Sequence, residues 1–188
     1  MGNDHHRSQL ENAMIQRKEE LDQFHSQADP WGYDNNPDDL QRRDVLLAEL
    51  PVRAYRNVLD IGCGQGFITK ELPGDQVYGV DISETAIAHA QGIATNRLHF
   101  KQGSIFELTK LFDQKFDLIV ITGVLYPQYI DKADKLVYLL VDSLLEKGGV
   151  LVSVHIDEWY QSQFPYLKIK QTFYDYRQFT HNLEIYVK

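Results

Sequence analysis

Cysteine is almost absent from this chain of 188 residues, which carries a single thiol at Cys63. One cysteine can form neither an internal disulfide nor a cysteine-based zinc site, so a reducing compartment is expected. No apolar run approaches the roughly 18 residues that a membrane span requires. The polar N-terminus also lacks the apolar segment of a secretory signal. These absences predict a cytoplasmic protein with no membrane partner.

The chain also lacks a cluster of basic residues. It has 27 acidic and 19 basic residues and a net charge of −8. The longest basic run, Arg42-Arg43, is surrounded by Asp38, Asp39 and Asp44. Because proteins that bind nucleic acids usually present a basic face, no nucleic-acid partner is expected. The acidic balance favours a small-molecule or neutral substrate, and a monomer or weak homodimer is expected.

From Asn57 onwards, short apolar segments alternate with segments of helical periodicity. Strands are predicted at Val58–Ile61, Val77–Val80, Leu98–Lys101, Phe116–Thr122 and Val150–His155, and helices at Phe67–Leu72, Ser83–Ile93 and Asp131–Leu145, the last closed by Gly148-Gly149. Such alternation predicts an α/β fold with a mostly parallel sheet and helices on both faces. Leu167–Tyr176 and Leu183–Val187 leave no room for a helix between them, and they predict a terminal antiparallel hairpin.

The residues before Asn57 follow a different pattern. Ser8–Phe24 has the apolar spacing of an amphipathic helix, and Ser26–Pro37 is a loop that contains Trp31 and Tyr33. A further helix is predicted from Asp38 or Asp39 to about Leu50. We therefore expect one globular unit with an N-terminal segment, residues 1–37, and a main domain, residues 38–188.

The clearest functional signal is the segment Asp60–Gly66, where a buried strand runs into a loop with glycine at every second position. Such glycines allow a sharp turn and the close approach of a ligand. Dinucleotide-binding loops read G-x-G-x-x-G, whereas the third glycine here comes one residue early. Asp60, placed before the loop, would repel a pyrophosphate but attract a ligand that carries an ammonium and a sulfonium.

A second acid, Asp81, ends the next predicted strand. A carboxylate at that position can accept hydrogen bonds from ribose hydroxyls. The alternative is that Asp81 only starts the helix at Ser83. Because Ser83 already supplies an N-cap, ribose binding is favoured.

These segments resemble the class I S-adenosylmethionine (SAM)-dependent methyltransferases, from about Asn57 to the C-terminus. Val58–Gly66 matches the first motif of that family, Tyr78–Ser83 matches the second, and Phe116–Val120 matches the fourth. The resemblance implies a Rossmann-like sheet of seven strands in the order 3-2-1-4-5-7-6, with the last strand antiparallel. It also implies SAM as cofactor and S-adenosylhomocysteine (SAH) as product.

The same resemblance implies which residues form the cofactor site. Asp60 would lie near the methionine amino group, and Asp81 would hold the ribose. The segment Gly103-Ser104-Ile105 would flank the adenine, with Ser104 in place of an acid that many family members carry. The full predicted cofactor set is Asp60, Gly62, Cys63, Gly64, Gly66, Asp81, Ile82, Gly103, Ser104, Ile105, Thr122, Trp31 and Tyr33.

A narrower resemblance covers Asp29–Tyr33, Asn36-Pro37 and the Arg-rich helix that follows. This stretch is similar to the N-terminal segment of nodulation-type methyltransferases, which N-methylate a chitooligosaccharide backbone. The resemblance implies that Trp31 and Tyr33 lie over the cofactor as part of a lid.

Two residues are candidates for catalysis. His155 is a candidate general base, because histidine titrates near neutrality, and Asp157 could orient its ring. The alternative is a strand-end histidine with a backbone partner. Tyr126 is the second candidate, with a role as a cleft wall as its alternative. No metal site is expected, and Cys63 is most simply explained as a small residue beside the cofactor.

Three functions stay open at this point. The favoured one is a SAM-dependent methyltransferase that modifies a nitrogen or oxygen of a small molecule, sugar or oligosaccharide. The alternatives are an NAD-dependent oxidoreductase on a related Rossmann fold and a non-catalytic SAM-binding module. The series of motifs from Asp60 to Asp117 favours the first.

Overall fold

The alternating segments form one seven-stranded sheet. A computed structural model of the chain describes Asp22 and residues 35–188. The strands are β1 (Asn57–Ile61), β2 (Gln76–Asp81), β3 (Leu98–Gln102), β4 (Phe116–Thr122), β5 (Leu145–Ile156), β6 (Leu167–Tyr176) and β7 (Phe179–Val187). Their order is β3-β2-β1-β4-β5-β7-β6. Strands β1 to β5 are parallel, and β7 is antiparallel to both β5 and β6. This topology confirms the predicted order and the reversed last strand.

The helices are short, and their starts follow local sequence rules. They are α1 (Pro37–Glu49), α2 (Glu84–Ala90), α3 (Leu108–Leu111), α4 (Pro127–Ile130) and α5 (Asp134–Leu144). The Asn36 side chain caps α1 by accepting from the Asp38 N–H at 3.0 Å. Ser83 caps α2 as predicted, accepting from the Ala86 N–H at 3.1 Å. Both caps satisfy N–H groups that have no acceptor inside the helix.

Three helix predictions were wrong in length. The segment Phe67–Leu72 contains only a 3₁₀ turn at Thr69–Glu71, because the glycine loop before it and Pro73 after it leave no room for a longer helix. Helix α2 ends at Ala90 and continues as a 3₁₀ turn at Gln91–Ile93. The predicted helix Asp131–Leu145 begins only at Asp134 and ends at Leu144, because Asp131, with a φ of 50°, lies in the left-handed region.

The end of α5 also differs from the prediction. Gly148-Gly149 does not close the helix, because Leu145 already begins β5 by pairing with Phe116 of β4. A register shift between Phe116 and Leu118 accommodates the extra residues of β5. Gly148 adopts a φ of 75° within this irregular part of the strand.

Two apolar cores flank the sheet, because the central strands are buried on both faces. One core lies beneath α1 and α2 and includes Leu46, Val58, Ile87, Val120, Val152 and Ile185. The other lies beneath α5 and includes Leu59, Ile119, Val141, Leu151 and Tyr186. The apolar runs Leu118–Ile121 and Val150–Val152 are completely buried, as expected for strands covered on both sides. Among the described residues, no helix is long and apolar enough to cross a membrane.

Asp117 fixes the amino-terminal edge of the sheet. Its carboxylate accepts from the backbone N–H groups of Arg56 at 2.8 Å and Asn57 at 3.2 Å. It therefore joins the start of β4 to the start of β1, and its side chain is almost fully buried. The acid of the fourth motif thus lies at the sheet edge opposite the carboxyl ends of the strands.

We expect Asp117→Ala to lower the free energy of unfolding by about 2 kcal/mol, because the N–H groups of Arg56 and Asn57 would lose the charged acceptor that joins β1 to β4. Urea unfolding monitored by circular dichroism measures the change. Asp113→Ala is the matched control, since Asp113 is exposed on the loop before β4. Equal stability of the two variants would contradict the bracing role of Asp117.

Candidate functional site

A cleft opens at the carboxyl ends of β1 and β4, the point at which the strand order reverses. Ligands of open α/β sheets bind at such a point. The cleft is lined by Arg42, Asp60, Gly62, Cys63, Gly64, Phe67, Ile68 and Thr122. Of the predicted cofactor residues, it brings together Asp60, Gly62, Cys63, Gly64 and Thr122.

The glycine loop has a backbone that other residues could not adopt without strain. Gly62, Gly64 and Gly66 have φ values of 79°, 52° and 86°. A Cβ on Gly62 would lie 2.1 Å from Val124 Cγ2, which is well inside van der Waals contact. The alternating glycines therefore serve both the conformation of the loop and its close packing.

The N–H groups of the loop are directed inward and bind other parts of the protein. Those of Gly62 and Cys63 donate to the Val80 carbonyl at 2.8 and 3.1 Å. The Gly66 N–H donates to the Cys63 carbonyl at 2.9 Å, and the Gly64 N–H donates to Asp81 Oδ2 at 2.8 Å. A phosphate-binding loop needs N–H groups directed at the ligand. These four are already used, so the loop does not form a cradle for a pyrophosphate.

Asp60 places a negative charge at the base of the cleft. The side chain is 1% exposed, and its Oδ2 accepts from the Thr69 hydroxyl at 2.6 Å. Its Oδ1 is buried and has no hydrogen-bond partner within the described part of the chain. Burial raises the pKa of Asp60 to about 6, since the charged form is removed from water. A carboxylate in this state is suited to a cationic ligand group.

Asp81 holds the loop and the start of α2 together. Its Oδ2 accepts from Gly64 and its Oδ1 accepts from the Ser83 N–H at 2.9 Å. The Ser83 hydroxyl in turn donates to Asp22 at 2.7 Å. The helix-starting role considered as an alternative is therefore present. A carboxylate has further lone pairs, so ribose binding by the partly exposed Asp81 stays a prediction.

The residues predicted to flank the adenine are occupied by local contacts. The Ser104 hydroxyl accepts from the Phe106 N–H at 3.2 Å as part of a capping box with Glu107. The Gly103 N–H donates to the Asp81 carbonyl at 2.8 Å, and the Ile82 carbonyl accepts from Gln102 at 3.1 Å. Ile82, Gly66 and the Gly103–Ile105 segment lie beyond the residues that line the cleft, so their contact with a cofactor stays a prediction.

Cys63 is a packing residue. Burial, followed by the nearby charges of Asp81 and Asp60, raises the pKa of its thiol well above the usual value. Its Sγ would lie 2.9 Å from a Cβ placed on Gly79, so the two residues fit closely together. The thiol therefore stays protonated, which disfavours a nucleophilic role.

His155 is buried beneath the loop that follows β5. Its exposure is 1%, its Nδ1 lies 3.2 Å from Ser153 Oγ, and Tyr160 covers it edge-on at 5.1 Å. Its Nε2 lies 4.0 Å from Glu184 Oε2. Burial lowers the pKa of this histidine, despite the nearby charge of Glu184. Its ring does not line the cleft, so the role of general base stays a prediction.

The expected orientation of His155 by Asp157 was wrong. Asp157 Oδ1 accepts from the Asn182 side chain at 2.8 Å, while the histidine pairs with Ser153. The alternative of a backbone partner was wrong as well, because the Nδ1 partner is a side-chain hydroxyl. Asn182 lies opposite His155 on β7, an arrangement that only the pairing of the two strands brings about.

Tyr126 connects the loop after β4 to the end of β5. Its hydroxyl accepts from the Ile156 N–H at 2.9 Å, and the ring is almost fully buried. Burial raises the pKa of this hydroxyl. Trp159 packs edge-on against the Tyr126 ring at 5.5 Å and is 45% exposed. Tyr126 lies outside the residues that line the cleft, so its catalytic role and its alternative role as a cleft wall both stay predictions.

Arg42 is the site residue that the sequence analysis missed. It was considered only as part of a basic run, although its spacing from Asp39 places both on one face of a helix. Trp31, Tyr33, the predicted helix Ser8–Phe24 and the segment Asp29–Tyr33 lie outside the described residues, apart from Asp22. Among the residues that the structure describes, no group of three or more His, Cys, Asp or Glu could hold a metal ion.

Known proteins resemble the chain in sequence. A family model described as a methyltransferase domain matches residues 54–184. The release factor glutamine methyltransferase of Geobacter sulfurreducens is 48% identical over 100 residues, which cover 48% of this chain and 33% of that protein. The malonyl (acyl-carrier protein) O-methyltransferase of Enterobacter lignolyticus is 36% identical over 117 residues, covering 60% and 45%. The chain thus spans less than half the length of these curated relatives.

A solved structure resembles the fold over almost its whole length. The N-methyltransferase NodS from Bradyrhizobium japonicum WM9, in complex with S-adenosyl-L-homocysteine, superposes with a TM-score of 0.76. The match covers 91% of this chain and 97% of that one. At 20% sequence identity, the likeness shows the fold alone.

We expect Asp60→Asn to stabilise the ligand-free protein at pH 7.5 by about 1 to 3 kcal/mol. The reason is that a carboxyl whose pKa is raised from 3.8 to about 6 by folding opposes folding when it is ionised. The sign follows from proton linkage. Below pH 4 both states are protonated and the gain disappears. It develops between about pH 4 and 6, where only the unfolded state is ionised, and it is complete above pH 6.

Urea unfolding of both proteins at pH 4 and pH 7.5 measures this gain. Asp113→Asn, on the exposed loop before β4, is the control and should give no gain at either pH. A loss of stability in Asp60→Asn at pH 7.5 would contradict the assigned burial penalty.

Proposed function

The chain belongs to the methyltransferase domain family, and on that premise we propose that it is a SAM-dependent enzyme. It transfers the methyl group to a nitrogen or oxygen of a small molecule, sugar or oligosaccharide. When bound, SAM supplies an electrophilic methyl group on a sulfonium. The protein then contributes binding, orientation and exclusion of water.

The observation that carries the proposal is the buried Asp60 oxygen without a hydrogen-bond partner among the described residues. An ammonium group would supply the missing donor and the missing positive charge. The amino group of SAM is such a cation, and its sulfonium adds a second positive charge. Both groups favour the ionised carboxylate, so binding energy offsets the cost of burying Asp60.

The inward N–H groups of the glycine loop support SAM over a dinucleotide. A pyrophosphate would find the N–H groups of Gly62, Cys63, Gly64 and Gly66 already bonded within the protein. It would also meet the negative charge of Asp60. The NAD-dependent alternative lacks a matching observation, whereas a ligand with a cationic end fits both features.

The acceptor is the finer part of the proposal. The relatives named above differ in acceptor, from a glutamine of a release factor to malonyl carried on a protein, so family membership leaves it open. Trp159, supported by Tyr126 and Phe179, gives the open edge an exposed amphipathic ring. The net charge of −8 suits an amine or a neutral sugar better than a nucleic acid.

The chemistry proposed depends on positioning more than on a base. A general base must reach the proton that it removes. His155 is covered by Tyr160, and the Tyr126 hydroxyl accepts from the Ile156 N–H. Neither side chain is among the residues that line the cleft. An amine that binds in its neutral form needs no base, which favours a nitrogen acceptor.

We expect SAM and SAH to bind with micromolar affinity in calorimetric titrations, while NADH does not bind. The affinity for SAH should fall about tenfold per pH unit below pH 6, because the Asp60 carboxylate must be ionised to pair with the ammonium. Asp60→Asn should bind much more weakly and lose this pH dependence. Asp113→Asn, at the amino-terminal edge, should bind as the unchanged protein does. Failure of the unchanged protein to bind SAM would overturn the proposed function.

We expect SAH to form when the protein is incubated with SAM and an amino sugar or a chitosan oligosaccharide. Mass spectrometry of the acceptor should show one added methyl group. N-acetylated forms of the same sugars, which lack a free amine, are the matched control. Methylation of these controls at an equal rate would point to oxygen, and SAM binding without turnover of any acceptor would favour the non-catalytic alternative.

A further inference from the structure

Asp39 lies in α1, yet its side chain is bonded to the C-terminal hairpin. The carboxylate is completely buried. The Tyr176 hydroxyl donates to its Oδ1 at 2.7 Å, and Arg177 Nη2 donates to its Oδ2 at 2.8 Å. These contacts tie the first helix to the end of β6 and the turn that follows. Buried charge-assisted bonds of this kind hold a defined geometry.

Arg42 follows Asp39 by one helical turn and extends from this contact into the cleft. Its Nη2 lies 3.4 Å from Asp39 Oδ1, and its guanidinium lies 5.6 Å from the centre of the Tyr176 ring. The side chain is 11% exposed and lines the cleft together with Asp60. One end of the cleft thus presents a cation from α1 and a carboxylate from β1.

The ring of Tyr176 is held in place from several sides. His181 stacks on it with ring centres 4.0 Å apart, and the Arg177 guanidinium lies 5.3 Å from its centre. Burial, with a contribution from the charge on Arg42, lowers the pKa of His181 to about 3. His181 is therefore neutral at physiological pH and acts as a packing partner. Arg42 consequently rests against a surface with little freedom to move.

A cleft with one fixed cation and one fixed anion complements a zwitterion. The amino-acid end of the proposed cofactor is a zwitterion, with an ammonium and a carboxylate on the same carbon. Arg42 and Asp60 line the same cleft, and the positive charge of Arg42 opposes the rise that burial causes in the pKa of Asp60. An ammonium on Asp60 would leave the adjacent carboxylate in need of a cation.

We propose that Arg42 binds the carboxylate of the cofactor's amino-acid end, and that Asp39 and Tyr176 position its guanidinium for that contact. This inference rests on the proposed function and extends it, because it links the terminal hairpin to cofactor selection. Arginine suits the role, since its planar group can bind one carboxylate of the ligand while it contacts another in the protein.

The test compares two ligands that differ only in the carboxylate. They are SAH and S-adenosyl-3-thiopropylamine, which is SAH without that group. Calorimetry should show that the unchanged protein prefers SAH. Arg42→Gln should weaken SAH binding about 10- to 100-fold and leave the affinity for the amine analogue unchanged. Arg42→Lys should keep part of the preference, because the positive charge remains.

Arg53→Gln is the control for removing an arginine. Arg53 is exposed and donates to the Gly148 carbonyl at 2.9 Å, at the opposite edge of the sheet. The Arg53→Gln variant should keep the full preference for SAH over the amine analogue. Circular dichroism and thermal unfolding establish that each variant is folded before its affinities are compared.

Tyr176→Phe tests the positioning role, because it removes the hydroxyl that binds Asp39 and keeps the ring. We expect it to reduce the preference for SAH about threefold to tenfold, with little change for the amine analogue. Tyr166→Phe is the matched control. It removes a hydroxyl that donates to Asp142 at 2.9 Å, outside the residues that line the cleft.

The outcomes separate this inference from the proposed function. A folded Arg42→Gln protein that still prefers SAH as strongly as the unchanged protein would overturn the assignment of Arg42. An equal loss of affinity for both ligands would also overturn it, since Arg42 would then support the site without contacting the ligand carboxylate. If Tyr176→Phe matches its control, the positioning role fails. Absence of binding of either ligand to the unchanged protein would overturn the proposed function itself.

Discussion

The buried carboxylate of Asp60 is the constraint on which the rest of the site depends. It lies at the end of β1, in the centre of the sheet, with one oxygen bonded to Thr69 and the other without a partner among the described residues. A charge in this position opposes folding unless a cation completes it. Under the proposed function, the ammonium group of the cofactor removes that cost. The proposal therefore predicts that Asp60 lowers the stability of the ligand-free protein and raises its affinity for the cofactor.

The glycine loop beside Asp60 adds no N–H donors that could balance the charge of an anionic ligand. Its N–H groups donate to the carbonyls of Val80 and Cys63 and to the carboxylate of Asp81. Although the loop looks similar in sequence to a phosphate-binding loop, these N–H groups are therefore already bonded within the protein. Asp81 accepts hydrogen bonds from both the loop and the start of α2, and it thereby fixes the conformation of the loop. Asp60 instead places a buried carboxylate at the base of the cleft.

The C-terminal hairpin contributes to the site across the sheet. On β7, Asn182 lies opposite His155 and Glu184 lies close to its ring. At the end of β6, Tyr176 and the adjacent Arg177 donate hydrogen bonds to Asp39. The hairpin thus holds α1 against the sheet and directs Arg42 into the cleft. Trp159, on the loop that follows β5, is 45% exposed.

The strand order and the reversed direction of the last strand were implied by the family resemblance. The sequence by itself determined the alternation of strands and helices, the terminal hairpin and the positions of Asp60, the glycine loop and Asp81. These follow from local patterns, namely apolar runs, glycine spacing and an acid at a strand end, which need no knowledge of distant residues. Tertiary structure decided the rest. The contact of Asp39 with Arg177 joins residues 138 positions apart, the burial of His155 depends on β7 and Tyr160, and Tyr126 is bonded to the end of β5. The direction and burial of a side chain depend on which elements pack around it, and that packing is not encoded in any short segment of the chain.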